Sequence, residues 1–480
     1  MKSKVNIVIR SIIITICIAL CLFFRFIPAP NGLTQDAMGI IGIFFGTLIL
    51  WLTIGIDWPS LLCIFSIVLL DSFNTKTVFA GSFGNETFIF LLFTFICTYS
   101  LSKTPLIKRI AIWFTTNKLA KKGGWWLTCM FWTSVLLLGL FISPSVLFVV
   151  MLPILNEILE VSHIEKGEKV GKMLIMGLAF TVSISSSMTP IAHIFPILAM
   201  NAANISVGYA QYMAFAIPVG ILSFLSMILI FKIILHPDMS KLKNVDISQI
   251  KESIPPFTKK EYISLIVFIL VILLWIIPSL FKNINPQFYQ FFNQYGTAMP
   301  AILGTLILCI VRIDGKPLID ISDSFKNGVP WSSLIMCAST LILGSALTSD
   351  SVGLKTFLQN NLSGTLAGIP ALLLLIIFST WAMLQTNVSS NMVTATLVSA
   401  IASSIITSTG VSLNINAVIC IIGCLSAYAF ATPPSMPHIA IVASSEYCDT
   451  KTVFTYGSIL MVVCLIIALC VGYPLATLVM

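Results

Sequence analysis

The chain has 480 residues, of which 58% are hydrophobic and 9% charged, and it carries a formal net charge of +8. A water-soluble domain holds about 25% charged residues, so an ordinary soluble enzyme or binding module is excluded. The composition is that of an all-α polytopic membrane protein; a β-barrel would instead show many segments of about ten alternating residues. The basic residues cluster in short connections, as they do on the cytoplasmic side of membrane segments, so no nucleic-acid partner is expected.

In chain order, residues 5–26 and 38–56 read as spans, each close to the roughly 20 helical residues that cross a hydrocarbon core. The basic start of 1–26 resembles a signal peptide. The apolar run is long and no small-x-small site follows, so an uncleaved first span with its N-terminus inside is expected. Residues 79–113 carry Gly81, Gly84, Asn85 and Glu86 ahead of a short apolar part. They are expected to form a re-entrant hairpin leading into a surface helix, a shape tolerated at membrane depth only within protein or beside a wet cavity. Residues 125–151 contain Ser143-Pro144-Ser145. Pro144 has no backbone donor and clashes with the preceding turn, so the helix should break there. Residues 232–260 are polar, with Pro237, Pro255 and Pro256, and read as a cytoplasmic linker with room for a short helix. The second half restarts with spans at 262–281 and 299–311. Residues 327–345, with Pro330 near their start, are expected to be the counterpart of the first hairpin. An interrupted segment at 385–406, a segment ending at Thr432-Pro433-Pro434 and a last span at 454–478 follow.

Three of these marks occur twice. Leu101-Ser102-Lys103 is followed 246 positions later by Leu347-Thr348-Ser349, Ser143-Pro144-Ser145 by Ser390-Asn391-Met392 after 247, and Thr189-Pro190 by Thr432-Pro433-Pro434 after 243. Duplicated interruptions of apolar helices point to a transporter of two related halves, with inverted repeats and a site near the membrane midplane. The broken helices leave the number of crossings, and so the relative orientation of the halves, open to sequence reasoning.

The densest polar cluster in an apolar setting is 385–394, which includes Ser390, Asn391, Met392 and Thr394. Unpaired polar groups in hydrocarbon cost several kcal/mol each, so a ligand is a natural partner for them. Hydroxyl and amide oxygens suit a hard cation such as sodium, and helix N-termini favour carboxylate or sulfate. Ser143, Pro144 and Ser145 form the matching mark. Ser185, Ser186 and Ser187 permit close approach to an ion or to backbone, and Thr189 follows them. Thr432 and Pro433 close the second half, where the Thr432 carbonyl should escape helical bonding and serve a cation. His193 and His438 follow the two breaks at similar places and are candidates to meet substrate or carry a proton. Glu86, in the first expected hairpin, and Asp350, just beyond the second, are acidic residues that could pair with a cation or a lysine. Arginine and lysine are absent from the broken segments, so an anion would be held by amides, hydroxyls and co-bound cations. The twelve cysteines lie mostly in apolar runs and read as packing residues. No zinc-ligand spacing, nucleophile–base set or phosphate loop suggests an enzyme.

With these residues in view, the chain resembles the divalent anion:sodium symporter family, which carries dicarboxylates, citrate or sulfate. Ser390-Asn391, with Val393-Thr394-Ala395-Thr396, matches the second serine-asparagine-threonine signature, with Met392 in place of threonine. Ser143-Pro144-Ser145, followed by Met151-Leu152-Pro153, matches the first in degenerate form. Thr432-Pro433-Pro434 is intact and Thr189-Pro190-Ile191 is eroded. The resemblance implies an elevator in which a transport domain slides along a dimeric scaffold. It also implies sodium sites beside the signatures and hairpins, carried here by Asn85, Ser143, Ser390 and Asn391. The expected division is N-terminal scaffold helices at 1–78, a first repeat at 79–231, the linker at 232–260 and second scaffold helices at 261–326. A second repeat at 327–451 and a C-terminal span at 452–480 complete it. The implied activity is sodium-coupled transport of a small divalent anion by a homodimer in the plasma membrane of a prokaryote. The alternatives are sodium-independent dicarboxylate exchange, consistent with loss of the first asparagine, and, in a different class, a channel or a non-transporting membrane protein.

Overall fold

The computed structural model describes residues 2–191, 193–243, 256–281, 284–354, 357 and 369–480. The middle of the expected linker, with any short helix there, lies outside the described residues. Among the described residues, ten helices are long and apolar enough to cross a membrane. The sole strands among them are the two-residue pair Arg312–Ile313 and Lys316–Pro317, closed by Asp314 and Gly315 at positive φ. The protein is an all-α polytopic membrane protein, as its composition requires.

Local chemistry sets many helix starts. Thr34, Asn74, Asn414 and Asp449 each accept a hydrogen bond from a first-turn backbone N–H, which satisfies donors that have no partner inside the helix. Burial then sorts the spans. Val8–Phe26 has 11% of its central window buried and faces outward, whereas Lys169–Met188 has 94% buried and runs through the middle.

The packing is reciprocal between the halves. The helix Lys169–Met188 and, from the other half, Pro437–Ala443 both pack against Pro144–Val161. In matching fashion, Ile415–Leu425 and, from the first half, Phe195–Ala202 pack against Asn391–Thr409. The outer helices exchange too. Glu86–Ser102 lies against Met299–Ile310, and Trp331–Thr348 lies against Asp57–Val68. Each half therefore completes the core of the other.

The structure differs from the hairpin expected at residues 327–345. Residues 331–348 form one continuous helix, Trp331–Thr348, with Pro330 at its N-cap, where a missing N–H does no harm. Thr75–Gly81 and Glu86–Ser102 are a pair bent by 46°, followed by the helix Leu106–Thr116, which buries Leu106, Ile107, Ala111 and Ile112 and exposes Trp113. The helix–turn–helix units are Gly124–Leu138 with Pro144–Val161, and Ala371–Val388 with Asn391–Thr409, each turn ending in a serine before the second helix. The twelve cysteines are free thiols, most of them buried.

One ion pair ties Leu106–Thr116 to Lys259–Leu280. Arg109 Nε lies 3.2 Å from Glu261 Oε1, and Oε2 accepts 2.8 and 3.0 Å hydrogen bonds from Thr258 N and Oγ1. Glu261 is fully buried. Arg109→Met strands this carboxylate and is expected to destabilise the protein by about 3 kcal/mol, read as a lower melting temperature in detergent. An unchanged melting temperature would show that the pair is not structural.

Candidate functional site

Two helix starts carry the repeated marks. In the first, Leu138 ends a helix, residues 139–143 turn, and Pro144 begins the next helix with Ser143 at its N-cap. Proline suits this first position because its absent N–H would be unpaired there anyway. In the second, Val388 ends a helix, Ser389 is extended, and Asn391 begins the next with Ser390 at its N-cap. Neither serine caps its helix through its side chain. The hydroxyls of Ser143, Ser145 and Ser390 donate to no group among the described residues, and first-turn amides point out of each helix end, where the helix dipole favours negative charge. Asn391 is 4% exposed and its Nδ2 has no hydrogen-bond partner among the described residues. A buried, unanswered N–H donor beside a helix N-terminus suits an oxyanion acceptor.

Each start is stitched to an unwound stretch by a threonine. Thr189 Oγ1 donates to Leu140 O at 2.5 Å, and Thr432 Oγ1 donates to Asn387 O. Leu140 and Asn387 are 247 positions apart, the same offset as Pro144 and Asn391, so the duplicated threonine makes a duplicated contact. The second copy is fastened more heavily. Asn387 Oδ1 accepts from Ala431 N at 2.8 Å, its Nδ2 donates to Met383 O and Tyr428 O, and Thr386 Oγ1 donates to Ser426 O at 2.5 Å. The first turn is instead held close by Gly139, whose Cα faces the Ser185 hydroxyl with no room for a Cβ.

A cavity of about 370 Å³ opens beside the first start. Ser143, Pro144, Ser145 and His193 form one side. Thr98, Tyr99 and Ser102 from Glu86–Ser102, with Asn327 and Ser333, form the other. Among the described residues, no charged side chain lines it. At its rim Lys103 Nζ lies 3.0 Å from Asp323 Oδ2, which also accepts from Tyr99 OH, while Asn327 donates to Oδ1 at 2.7 Å. The Asn327 hydrogen bond and the Lys103 ammonium hold the Asp323 carboxyl below the usual carboxylate range. This joint between the halves is therefore present at neutral pH and is lost as pH falls through that lowered value.

Several candidates take other roles. Asn85 is the N-cap of Glu86–Ser102, with its Oδ1 accepting from Thr87 N at 2.9 Å. At 1.5 Å per residue it stands about 20 Å along the helix from the end that lines the cavity, so it does not join the Ser143 group. The Thr432 carbonyl is not free, since it accepts from Ser435 N at 3.1 Å and Ser435 Oγ at 2.5 Å. Ser185 and Ser186 donate to Val182 O and Ser183 O, and Thr394 donates to Ser390 O; their oxygens keep lone pairs for a cation. Met392 is half-buried beside Asn391, and Pro433 begins the short turn Pro433–Ser435. His438 is buried, with Nε2 2.8 Å from Ser183 Oγ. Glu86 accepts from Thr297 Oγ1 at 2.7 Å, and Asp350 lies in an exposed turn. Sequence reasoning missed Thr98, Tyr99, Asn327 and Ser333. For Thr98, Tyr99 and Ser333 the signal was polarity within apolar helices, Asn327 lies in the polar turn Ser324–Gly328, and nothing local says which element faces the break.

The chain matches the family described as the sodium:sulfate symporter transmembrane region over residues 8–480. The chain belongs to the sodium:sulfate symporter family. A sodium-dependent dicarboxylate transporter of Staphylococcus saprophyticus is 23% identical over 452 residues, covering 89% of this chain and 84% of that protein. A putative malate transporter of Bacillus subtilis is 23% identical over 379 residues, 75% of this chain and 74% of its own. An inorganic phosphate transporter of Saccharomyces cerevisiae is 27% identical over 286 residues, 58% of this chain, and the match spans 27% of the yeast protein. This is a transporter family, so the paired helix starts belong to a membrane transport protein and not to an enzyme.

Proposed function

We propose that the protein is a secondary active transporter that carries a small divalent anion, a C4-dicarboxylate, citrate or sulfate, together with sodium. The observation that carries this reading is the pair of helix N-termini at two related breaks, one bearing the unpartnered Asn391 amide and the other opening on an uncharged cavity. Amide and hydroxyl donors bind an anion without a fixed positive charge, and co-bound sodium offsets the charge that remains. Ser143, Ser145, Ser390, Asn391 and Met392, with Thr189, Thr432 and Pro433, surround the anion. The hydroxyl oxygens of Ser143, Ser185, Ser186, Ser390, Thr394 and Thr432, and the Asn391 amide oxygen, offer sodium ligands. The halves are inverted repeats of an elevator, in which the two helix–turn–helix units and their broken helices move against a scaffold that holds a homodimer in a prokaryotic plasma membrane.

The test is uptake of succinate, malate, citrate, sulfate and phosphate into proteoliposomes with and without an inward sodium gradient. Stimulation by sodium is expected for at least one anion. Transport of an anion without any sodium effect would remove the coupling. A second reading, exchange without sodium, draws on one observation: Pro144 stands where an amide side chain would complete the first site. It requires anion inside the vesicle before uptake begins. Saturable counterflow separates either carrier from a channel.

A further inference from the structure

The two helix starts are unequal in one respect. Asn391 brings a side-chain amide to the second, whereas Pro144, 247 positions earlier, brings none and has no backbone N–H either. A polar group from elsewhere stands beside the first start. His193 lines the same cavity as Ser143 and Ser145, from the stretch that unwinds after Lys169–Met188.

Its ring is fixed in two ways. The backbone N–H of Ile194 donates to His193 Nδ1 at 3.0 Å. The ring also lies against Phe195, with centroids 3.7 Å apart. A neutral imidazole whose Nδ1 accepts must carry its proton on Nε2. That Nε2–H has no hydrogen-bond partner among the described residues, while the Nε2 of the other central histidine, His438, is engaged with Ser183.

We propose that His193 is a substrate-specificity residue whose Nε2–H donates to an oxygen of the transported anion, taking the place of the side-chain amide that Pro144 removes from the first helix start. The ligand class is an oxyanion with unprotonated acceptor oxygens, such as a carboxylate or sulfate. An acidic O–H presented to the same nitrogen would leave both partners donating, so fully ionised anions are preferred over their protonated forms. The proposal rests on the reading of the protein as an anion transporter.

The experiment measures KM and Vmax for uptake of the best anion of the panel by the full chain in proteoliposomes, for wild type, His193→Ala and His193→Gln. Glutamine places an amide N–H near the position of the imidazole Nε2–H, whereas alanine places nothing there. Loss of one hydrogen bond to a charged ligand predicts a KM about 10-fold higher in His193→Ala with Vmax within about 2-fold, and recovery to within about 3-fold of wild type in His193→Gln. A wild-type KM in His193→Ala overturns the inference and leaves the anion-transport reading intact. Equal losses in both variants with lowered melting temperatures assign His193 a packing role and also overturn it. If wild type neither transports nor is stabilised against heat by any anion of the panel, both readings fall.

Discussion

Replacing Asn391 with alanine should weaken anion binding by about 10- to 100-fold, the loss of one charge-assisted hydrogen bond. The same change should leave the melting temperature of the ligand-free protein unchanged or slightly raised. These two effects have one origin. The Nδ2 group of Asn391 is buried with no acceptor among the described residues, and an unanswered buried donor costs about 1–3 kcal/mol in the empty state. Alanine removes that cost along with the ligand contact. A residue kept for packing would behave in the opposite way, losing stability when truncated. Ser403→Ala provides the comparison. Ser403 sits further along the same helix, 6% exposed, with a long 3.4 Å bond to Ala203 O, and its loss should leave binding near wild type. Binding is read by anion-induced thermal stabilisation of the purified protein. Equal behaviour of the two variants would make the 385–394 cluster a structural one.

Gly344→Val should be among the most damaging single substitutions outside the helix starts. Gly344 lies in Trp331–Thr348 where that helix meets Phe195–Ala202, and a Cβ there would overlap the Asn201 carbonyl oxygen. The obstacle is backbone, so it cannot swing aside as a side chain would. The contact is reinforced nearby by Asn204 Nδ2 donating to Thr348 Oγ1 at 2.8 Å and by Asn201 Nδ2 reaching Cys337 Sγ. Forcing a branched side chain into this space is expected to cost about 3 kcal/mol, with lower yield and a lower melting temperature. Ser345→Ala, at the next and exposed position, should change neither. A Gly344→Val protein with wild-type melting and uptake would mean that the two helices do not meet this closely.

The helix breaks were legible because they are written locally. Pro144, Thr189-Pro190 and Ser389 to Asn391 each interrupt an apolar run, and the structure breaks each run there. The repeat was legible for the same reason, since Ser102 and Thr348 end helices 246 positions apart. Pro330 misled because proline reads alike at a helix start and in a helix interior, although only the interior placement breaks the helix. Asn85 misled because an asparagine that caps a helix and one that meets a ligand carry the same amide; what separates them is the Thr87 N–H. The far wall of the cavity was not legible at all. That Tyr99 and Asn327 would face Ser143 depends on how helices more than 40 residues apart come together, and hydropathy in a membrane protein marks which residues leave water, not which of them touch.

The exchange of half-helices between the two halves bears on how the protein is made. When the first 231 residues have left the ribosome, Phe195–Ala202 has no helix–turn–helix unit to lie against, because Asn391–Thr409 is almost 200 residues away in synthesis. Pro144–Val161 likewise waits for Pro437–Ala443. The nascent first half inserts as a set of helices with open sockets, and its final core forms only after the last spans enter the bilayer. Two halves produced from separate messages would therefore be expected to accumulate as a pair and be degraded alone.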